Sequence, residues 1–549
     1  MYQPVPHELD FPALERRILR FWDESGAFEK LRQKLASRPE RFSFIDGPIT
    51  ANNPMGVHHA WGRTYKDVFQ RYQAMIGHNQ RFQNGFDCQG LWVEVEVERE
   101  LGFATKRDIE AYGISEFVRR CKERVLKYAR IQTEQSLRLG YWMDWDNSYF
   151  TMSDENNYTI WHVLKTCHER GWLYRGHDVM PWCPRCSVGI SQMEIDTEGY
   201  QETTHASVYV KFPLVGRDGE HLLVWTTTPW TLTSNVAAAV HPELTYARAR
   251  KDGETVYLAE PLVKRLGPGW EVIQHVRGAE MLDWRYRGPF DELPAQAGVE
   301  HRVIPWDEVS QVEGTGIVHI APGCGEEDFR LGKDFGLPAI APLDELGVYV
   351  DGFGWLTGQP VQTVAEPIVE DLKRKGVLFR AEPYTHRYPH CWRCRTELVF
   401  RLVDEWFISM QDLRALLMDV TRQIRWIPDF GVERELDWLR NMHDWMISKK
   451  RYWGLALPIW YCDGCQRFEV VGSRDELRDR AVAGWQTFEG RSPHRPWVDA
   501  VKIACSQCGA HLSRISDVGN PWLDAGIVAY STLGYRSNRD YWQQLFPAD

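Results

Sequence analysis

The first residues that could do chemistry are two adjacent histidines, His58 and His59, which follow a loop rich in Gly, Pro and Asn. The sequence predicts a short strand over 42–45, then this loop, then a helix from the histidines to about Met75. A helix that begins after a tight loop presents unpaired N–H groups and the positive end of its dipole to an anion. Two imidazoles there indicate a polyphosphate whose charge is stabilised while a bond breaks. A simple helix cap is the alternative role.

The same order of strand, loop and helix is predicted again, with a strand near 81–83, a turn at Asn84–Gly85 and a helix from near Leu91. This repetition is typical of a doubly wound sheet, in which residues just beyond the strand ends face the ligand crevice. Asp87, just before the second helix, is therefore expected in the same cleft as the histidines. A carboxylate there could hold an ammonium group, and capping of the helix is the alternative.

Four Cys-x-x-C pairs provide thiolates at a spacing that suits tetrahedral zinc, each pair supplying half of the ligands. We expect two structural sites, because four thiolates leave no open coordination position. Free buried thiols are the alternative for the first site. The ligands of the first site are Cys183, Cys186, Cys391 and Cys394, and those of the second are Cys462, Cys465, Cys505 and Cys508.

The residues between the two halves of the first site alternate like a β-rich domain, with strands over 205–212 and 221–228. This region carries two polar clusters, one in WTTTPWTLTSN and one in GTGIVHIAPGCGEEDF. Threonines alone merely favour strands, but beside a glycine-rich loop their hydroxyls could bind a ribose or water while a carboxylate anchors an ammonium group. The cluster residues are Thr226, Thr227, Thr228, Thr231, Asn235, His319 and Asp328.

The composition indicates several domains and a large core, since the 549 residues are 43% hydrophobic and 13% aromatic. The net charge of −11 argues against a generally basic nucleic-acid coat. The sequence has no secretory signal and no apolar run long enough to span a membrane, so we expect a cytoplasmic chain. In that compartment the 12 cysteines are expected to bind metal rather than form disulfides.

The motifs DGPxxAN, the histidine pair, YKDxxxRYxxMxG and FDCxGLxxE, in this order, resemble class I aminoacyl-tRNA synthetases. The Asp-Cys-x-Gly-Leu run resembles the isoleucyl branch. The resemblance implies an α/β fold, in which a Rossmann-type nucleotide-binding domain is interrupted by a β-rich editing insertion, with two zinc-knuckle modules. It implies catalytic roles for His58 and His59. It also implies ATP binding by Gly47, Pro48, Gly56 and His59, and amino-acid binding by Pro48, Asp87 and Trp522.

The sequence departs from the family at one central motif, the His-x-Gly-His signature, which here reads Gly56-Val57-His58-His59. The second histidine is kept, whereas the first is replaced by Gly56 and the glycine by His58. The family's glycine lets the adenine lie close to the backbone, so a side chain there could crowd it. Either His58 takes the phosphate role from a new position, or activation is impaired.

The threonine cluster and the loop with His319 and Asp328 resemble the editing domain of isoleucyl, valyl and leucyl synthetases, which hydrolyses wrongly charged tRNA. Cys324 stands where the isoleucyl enzymes usually have a histidine. Such a site is needed because isoleucine and valine differ by one methylene, worth about 1–3 kcal/mol of discrimination. Trp453 and Gly454 in ISKKRYWG match the family's return to the catalytic domain.

The resemblance implies the following organisation. An N-terminal helix and the first half of the Rossmann domain occupy 1–165, the insertion stems with the first zinc site occupy 166–200 and 385–405, and the editing domain occupies 201–384. The chain returns to the catalytic domain in 406–460, and a second zinc ribbon (461–510) precedes a further catalytic part (511–549). The sequence ends at LFPAD without the family's Lys-Met-Ser-Lys-Ser loop or anticodon-binding domain. We therefore expect an N-terminal portion that alone gives no isoleucine-dependent pyrophosphate exchange.

The implied function is ATP-dependent activation of isoleucine and its transfer to tRNA(Ile), with hydrolytic editing of valyl-tRNA(Ile). The implied partners are tRNA(Ile), isoleucine and ATP with Mg²⁺ as substrate, with two Zn²⁺ per chain, no membrane and a monomeric state. Two other functions stay open. One is a stand-alone trans-editing deacylase of mischarged tRNA, and the other is a non-catalytic, zinc-stabilised RNA-binding paralogue.

Overall fold

The computed structural model describes residues 8–190, 194–196 and 199–549. Parts of two predicted regions, 1–165 and 166–200, therefore lie outside the described residues. The chain forms two compact units. The first unit comprises Met1–Arg175 and Trp406–Asp549, and the second comprises Gly176–Glu405.

The helices are numbered in chain order over the described residues. None of them is long and apolar enough to cross a membrane. They are α1 Phe11–Ser25, α2 Ala27–Leu35, α3 Val57–Met75, α4 Leu91–Leu101, α5 Lys106–Tyr112, α6 Ile114–Arg138, α7 Asp154–Glu169, α8 Gly278–Met281, α9 Glu326–Phe335, α10 Ala365–Arg374, α11 Leu413–Gln423, α12 Gly431–Asn441, α13 Arg474–Arg480, α14 Trp485–Phe488, α15 Pro521–Gly526, α16 Val528–Ser531 and α17 Arg539–Leu545.

The strands are numbered in the same way. They are β1 Ile49–Thr50, β2 Gly85–Asp87, β3 Tyr149–Phe150, β4 Leu173–Cys183, β5 Val188–Gly189, β6 Tyr200–Pro213, β7 Glu220–Thr226, β8 Ala237–Val240, β9 Thr245–Lys251, β10 Glu254–Ala259, β11 Glu271–Arg277, β12 Arg302–Pro305, β13 Val318–Ile320, β14 Leu378–Pro389, β15 Val399–Ile408, β16 Trp445–Met446, β17 Ser448–Lys449, β18 Ile459–Tyr461, β19 Phe468–Val470, β20 Ala481–Ala483, β21 Lys502–Ala504, β22 His511–Arg514 and β23 Val518–Gly519.

A small parallel sheet, in the order β1-β2-β3, organises the first unit. Thr50 is paired with Asp87, so the polar ends of β1 and β2 lie side by side. The predicted helix from the histidines to Met75 is confirmed as α3. Helix α4 begins at Leu91, as predicted, after Gly90 as its N-cap.

The two predicted strands of this sheet were placed too early in the sequence. Residues 42–45 form no strand, and the paired residues are 49–50 and 85–87. The segment before β1 is joined to β2 by a side-chain hydrogen bond, because the buried Asp46 carboxylate accepts the N–H of Gly85 at 2.8 Å. Gly85 belongs to β2 rather than to a turn, and it is paired with Tyr149 of β3. A Cβ at Gly85 would lie 2.1 Å from Cζ of Tyr149. The lack of a side chain at Gly85 permits close packing.

The second unit is rich in strands, as predicted, and the expected strands are confirmed as β6 and β7. A six-stranded sheet has the order β11-β9-β10-β7-β6-β14, and a three-stranded sheet has the order β12-β8-β13. Apolar residues of β6 and β7, such as Val208, Phe212 and Val224, are fully buried in its core. β7 ends at the threonine cluster, and β13 carries His319. The two sheets therefore position the predicted polar residues.

Candidate active sites and metal centres

Asp87 is held at the end of β2 by hydroxyl groups from both neighbouring strands. Thr50 Oγ1 donates to Asp87 Oδ2 at 2.9 Å, and Thr151 Oγ1 donates to Asp87 Oδ1 at 3.3 Å. Burial raises the pKa of Asp87 to about 6, although these hydrogen bonds favour its ionised form. Asp87 does not cap α4, whose N-cap is Gly90. A positioned, partly desolvated carboxylate of this kind suits a cationic ligand.

His58 and His59 occupy the first turn of α3, with ring centroids 3.9 Å apart. His59 has a capping role, because its Nδ1 accepts the N–H of Gly56 at 3.1 Å. Burial, then the neighbouring His58 and Arg63, lower the pKa of His59. His59 is therefore neutral near pH 7, and Nε2 is the nitrogen that carries its proton. The capping contact thus uses Nδ1 and leaves the proton on Nε2 as a donor.

The other residues implied for the ATP and amino-acid sites lie in the same unit, with different degrees of exposure. The Gly47 carbonyl accepts from Lys66 Nζ at 2.8 Å, and Pro48 directly precedes β1. Trp522 lies in the first turn of α15 and is 73% exposed. Its indole is thus available for contact with a ligand.

Within the first unit, the ISKKRYWG segment is joined to α4 by a buried ion-pair network. Glu94 of α4 accepts from Arg451 Nε, from the Trp453 N–H and, at 2.7 Å, from the Tyr452 N–H. Glu98, one turn later, is paired with Arg451 Nη2. The Trp453 indole N–H donates to the Cys88 carbonyl at 2.7 Å. This network fixes the segment that follows Asp87.

In the second unit, the threonine cluster and the glycine-rich loop meet at His319. Thr231 Oγ1 lies 2.8 Å from His319 Nε2, and Thr228 Oγ1 links Thr231 to Thr226 through contacts of 3.3 and 3.2 Å. Thr231 lies in a 3₁₀ turn, Pro229–Ser234, that follows β7. Burial lowers the pKa of His319 to about 4. His319 Nδ1 is buried and has no hydrogen-bond partner in the described part of the chain. An orphaned polar atom of this kind is a candidate contact for a ligand or a water molecule.

Asp328 is held close to this strand end, because its Oδ2 accepts the N–H of Ala321 at 2.7 Å. Burial and then the charge of Glu327 raise the pKa of Asp328 to about 6. Cys324, in the same loop, is buried, and burial raises the pKa of its thiol far above neutral pH. It is therefore an uncharged thiol. The loop brings a carboxylate beside the strand end that carries His319.

Two members of the predicted threonine cluster have other surroundings. Thr227 is partly exposed at the end of β7. Asn235 is fully buried, its Nδ2 donating to the Ala237 carbonyl at 2.9 Å and its Oδ1 accepting from Tyr286 at 2.8 Å. Because both ends of its amide bind protein groups, Asn235 supports the start of β8.

The four Cys-x-x-C pairs combine as predicted into two clusters, in each of which all the sulfur atoms lie within 4.8 Å of one another. Sulfur–sulfur distances are 3.5 Å between Cys183 and Cys394 and 3.5 Å between Cys462 and Cys508. Four thiolates around zinc at about 2.3 Å would be about 3.8 Å apart, whereas a disulfide would need about 2 Å. The clusters therefore fit one tetrahedral ion each.

The backbone of the knuckles also suits metal binding. The residue after the second cysteine has a positive φ in all four pairs, namely Ser187 (49°), Arg395 (64°), Gln466 (57°) and Gly509 (73°). Three of these are not glycine, for which this conformation is uncommon. In the second cluster, N–H groups of Cys508 and Gln507 lower the pKa of the Cys505 thiol to about 7. This turn thus favours the Cys505 thiolate, whereas the contact with Cys462 raises the pKa of the Cys465 thiol to about 12.

A family model of class I tRNA synthetases (I, L, M and V) matches residues 17–549. The chain belongs to this family. Its mixed α/β fold and its order of motifs agree with that membership, as the sequence predicted. This synthetase chain is similar to proteins named isoleucine–tRNA ligase from three organisms.

The identity is 41% over 540 residues with the protein of Methanothermobacter thermautotrophicus, 41% over 558 residues with that of Streptomyces coelicolor and 39% over 547 residues with that of Archaeoglobus fulgidus. These matches cover 98%, 100% and 98% of this chain and 51%, 52% and 52% of those proteins. The chain thus spans about half the length of these relatives. A ternary complex of Agrobacterium radiobacter K84 agnB2 LeuRS with tRNA and LeuAMS gives a TM-score of 0.41 at 16% identity, covering 99% of this chain and 62% of that one.

Sequence reasoning missed several buried polar residues around Asp87. Glu94 and Glu98 stand one turn apart in the apolar helix LWVEVEVEREL, and carboxylates in such a run are a signal for a buried cation. Gln89 and Asp524 are also buried, and Gln89 Nε2 donates to Asp524 Oδ1 at 2.6 Å. They are far apart in the sequence, and no local pattern connects them.

Proposed function

We propose that this chain is the part of an isoleucine–tRNA ligase that binds ATP and isoleucine. The observation that carries the proposal is Asp87, held between Thr50 and Thr151 at the end of the parallel sheet. Its position in the FDCxGLxxE motif supports an amino-acid ammonium group as the ligand. The identity of 41% to a protein named isoleucine–tRNA ligase supports isoleucine as that amino acid.

In the activation step, a carboxylate oxygen of isoleucine bonds to the α-phosphorus of ATP while the bond to the β-phosphate oxygen breaks, and pyrophosphate leaves. Negative charge grows on the phosphate oxygens during this step. His59, neutral and with its proton on Nε2, donates to one of these oxygens, and His58 is the second donor. The ammonium of isoleucine binds Asp87, while Trp522 and Pro48 contact its side chain. Mg²⁺ accompanies ATP as part of the substrate.

Titration calorimetry with L-isoleucine tests the amino-acid site. We expect binding by the chain that is lost in Asp87→Ala, because the carboxylate is the partner of the ammonium group. Thr245→Ala, in a strand of the second unit, is the matched control and should bind isoleucine normally. If Asp87→Ala binds as tightly as the parent chain, the assigned site is wrong.

We further propose that the second unit hydrolyses valyl-tRNA(Ile). The contact of 2.8 Å between Thr231 and His319 supports this activity, as does the unpartnered Nδ1 of that histidine among the described residues. The threonine hydroxyls orient a water molecule and the terminal ribose, and Asp328 binds the ammonium of the valyl group. Hydrolysis breaks the ester bond between valine and the ribose and consumes one water.

Release of radiolabelled valine from valyl-tRNA(Ile) tests editing directly. Asp328→Ala should abolish this release, whereas Glu327→Ala, which changes the exposed neighbouring carboxylate, should leave it nearly unchanged. Release with no measurable isoleucine binding would instead support the alternative of a stand-alone deacylase. Equal release by Asp328→Ala and the parent chain would refute the role of this residue.

We also propose a metal content and partners for the chain. Each cysteine cluster holds one Zn²⁺ in a structural role, because four sulfur ligands complete its tetrahedral coordination. The zinc joins chain segments on either side of each cluster and stabilises the fold around them. We propose that the protein acts on tRNA(Ile) as a monomer in the cytoplasm.

A further inference from the structure

A chain of hydrogen bonds runs through the interior of the first unit from helix α6 to Asp524. Lys122 Nζ donates to Ser492 Oγ at 2.7 Å, and Ser492 Oγ lies 2.8 Å from His494 Nδ1. His494 Nε2 lies 2.8 Å from Gln89 Oε1, and Gln89 Nε2 donates to Asp524 Oδ1 at 2.6 Å. His494 is buried and stacked on Trp453, with ring centroids 4.9 Å apart.

The chemistry of the groups fixes the direction of every bond in this chain. An ammonium group can only donate, so Ser492 Oγ accepts from Lys122, and its own proton can be given to His494 Nδ1. The proton of the neutral His494 is then on Nε2, which donates to Gln89 Oε1. Rotating the Gln89 amide by half a turn would place its oxygen against three acceptors, which are Asp524 Oδ1, Asn157 Oδ1 and the Thr151 carbonyl. The amide therefore presents N–H groups to Asp524.

Asp524 is left with one unused oxygen in a buried position. Its exposure is 0%, and Oδ2 has no hydrogen-bond partner in the part of the chain that the structure describes. Burial, and then the charge of Asp87, raise the pKa of Asp524 well above its ordinary value. Thr151 connects the two acids, since its hydroxyl binds Asp87 and its carbonyl accepts from Gln89 at 3.1 Å. A cation between the two carboxylates would satisfy the free oxygen and relieve their repulsion.

The unused acceptor positions of the two acids suit an ammonium group better than a metal ion. Both oxygens of Asp87 already accept hydroxyl protons, and one oxygen of Asp524 accepts from Gln89. A divalent ion such as Mg²⁺ requires about six oxygen ligands, far more than the unused positions here. An ammonium group offers three N–H donors and can use the remaining acceptor positions of both acids.

We propose that Asp524 is a second anchor, beside Asp87, for the ammonium group of the amino-acid substrate. Gln89, His494, Ser492 and Lys122 are positioning residues that hold Asp524 in the required orientation. This inference rests on the proposed binding of isoleucine by the chain. It adds a binding residue and gives the buried His494 a positioning role.

The test compares two ligands that differ only at the anchored group. L-Isoleucine and 2-hydroxy-3-methylpentanoate share their carboxylate and side chain, but a hydroxyl replaces the ammonium in the second. Calorimetry with each ligand gives the preference for the ammonium form. Asp524→Asn should reduce this preference roughly 10- to 100-fold, because a hydrogen bond to a charged group is lost. Asp517→Asn, another buried carboxylate of the first unit, should keep it.

A second pair of variants tests the positioning residues and covers the case in which Asp524→Asn does not fold. His494→Phe keeps the ring stacked on Trp453 but removes the donor to Gln89, and it should lower the preference several-fold. His494→Gln restores an N–H donor and should recover part of it. A purely structural role would weaken both ligands equally.

The outcomes separate this inference from the function on which it rests. If the parent chain does not bind isoleucine, the proposed function fails and the inference fails with it. If the parent chain binds isoleucine and folded Asp524→Asn keeps the full preference for the ammonium ligand, only the inference is overturned. An unchanged preference in folded His494→Phe would overturn the positioning role.

Discussion

Replacing Asp87 by asparagine should stabilise the first unit while it removes amino-acid binding. Burial raises the pKa of Asp87 from 3.8 to about 6, so ionisation of this residue opposes folding. A pKa difference of about 2 corresponds to about 3 kcal/mol in the free energy of unfolding. This is an upper value, because Asp87 is only partly buried and its charged form accepts two hydroxyl protons. We therefore expect a gain of about 1–3 kcal/mol at pH 7.5.

The sign and the pH range of this gain follow from the raised pKa. The destabilisation caused by ionised Asp87 is absent below the pKa of this residue in the unfolded chain. It grows as the pH rises from about 4 to about 6 and is fully present above pH 6. The gain in Asp87→Asn should thus be large at pH 7.5 and vanish near pH 4. A neutral amide can still bind both threonines, because a hydroxyl can turn to accept its N–H.

Urea unfolding of both proteins at pH 4, 5.5 and 7.5, followed by tryptophan fluorescence, measures the effect. Asp67→Asn is the matched control, with the opposite sign expected at pH 7.5. The Asp67 carboxylate is paired with Arg71 at 2.7 Å and accepts the Trp142 N–H at 3.2 Å, so its charge contributes to stability. Loss of stability in Asp87→Asn at pH 7.5, or an equal gain at pH 4, would refute the reasoning.

Three further results are expected. Glu94→Gln should lower the free energy of unfolding by about 3 kcal/mol, because it removes a charge partner of the buried Arg451. Glu134→Gln, in an exposed pair, should cost less than about 0.5 kcal/mol in the same urea experiment. Cys505→Ser should reduce the zinc content, measured by atomic emission, from two ions per chain to one. Cys167→Ala, outside both clusters, should keep two ions. Near-zero zinc in the folded parent chain would contradict both sites. Burial lowers the pKa of His319 from 6.5 to about 4, so the second unit should lose stability as the pH falls from 6.5 to about 4. His319→Gln should make the free energy of unfolding less dependent on pH in that range. An unchanged pH dependence would refute this assignment.

Features set by local pattern were predicted well from the sequence. Helix α3, strands β6 and β7 and the cysteine pairs each depend on residues close together in the chain, whose spacing expresses the structure directly. The strands around Asp87 were misplaced because the apolar residues at 42–45 pack without forming a ladder. The strands pair at 49–50 and 85–87, where Asp46 accepts the Gly85 N–H and the Tyr149 ring packs against Gly85.

The buried polar network could not be predicted for a different reason. Gln89 and Asp524 are 435 residues apart, and Arg451 and Glu94 are 357 residues apart. From the sequence alone, each of these polar residues would be predicted to cap a helix or to lie in solvent. Only the fold shows that their partners are one another, because burial makes an unpaired charge or amide costly.

The rearranged signature at the start of α3 has a physical explanation in the same terms. A Cβ at Gly56 would lie 2.9 Å from Cε1 and 3.0 Å from Nδ1 of His58, so the His58 ring already occupies the space beside position 56. A histidine at both positions would fit only if His58 turned away. The imidazole lost at position 56 is thus replaced in the same neighbourhood by the imidazole of His58, beside His59. Of the two alternatives that the sequence left open, a phosphate role for His58 is the one that we propose.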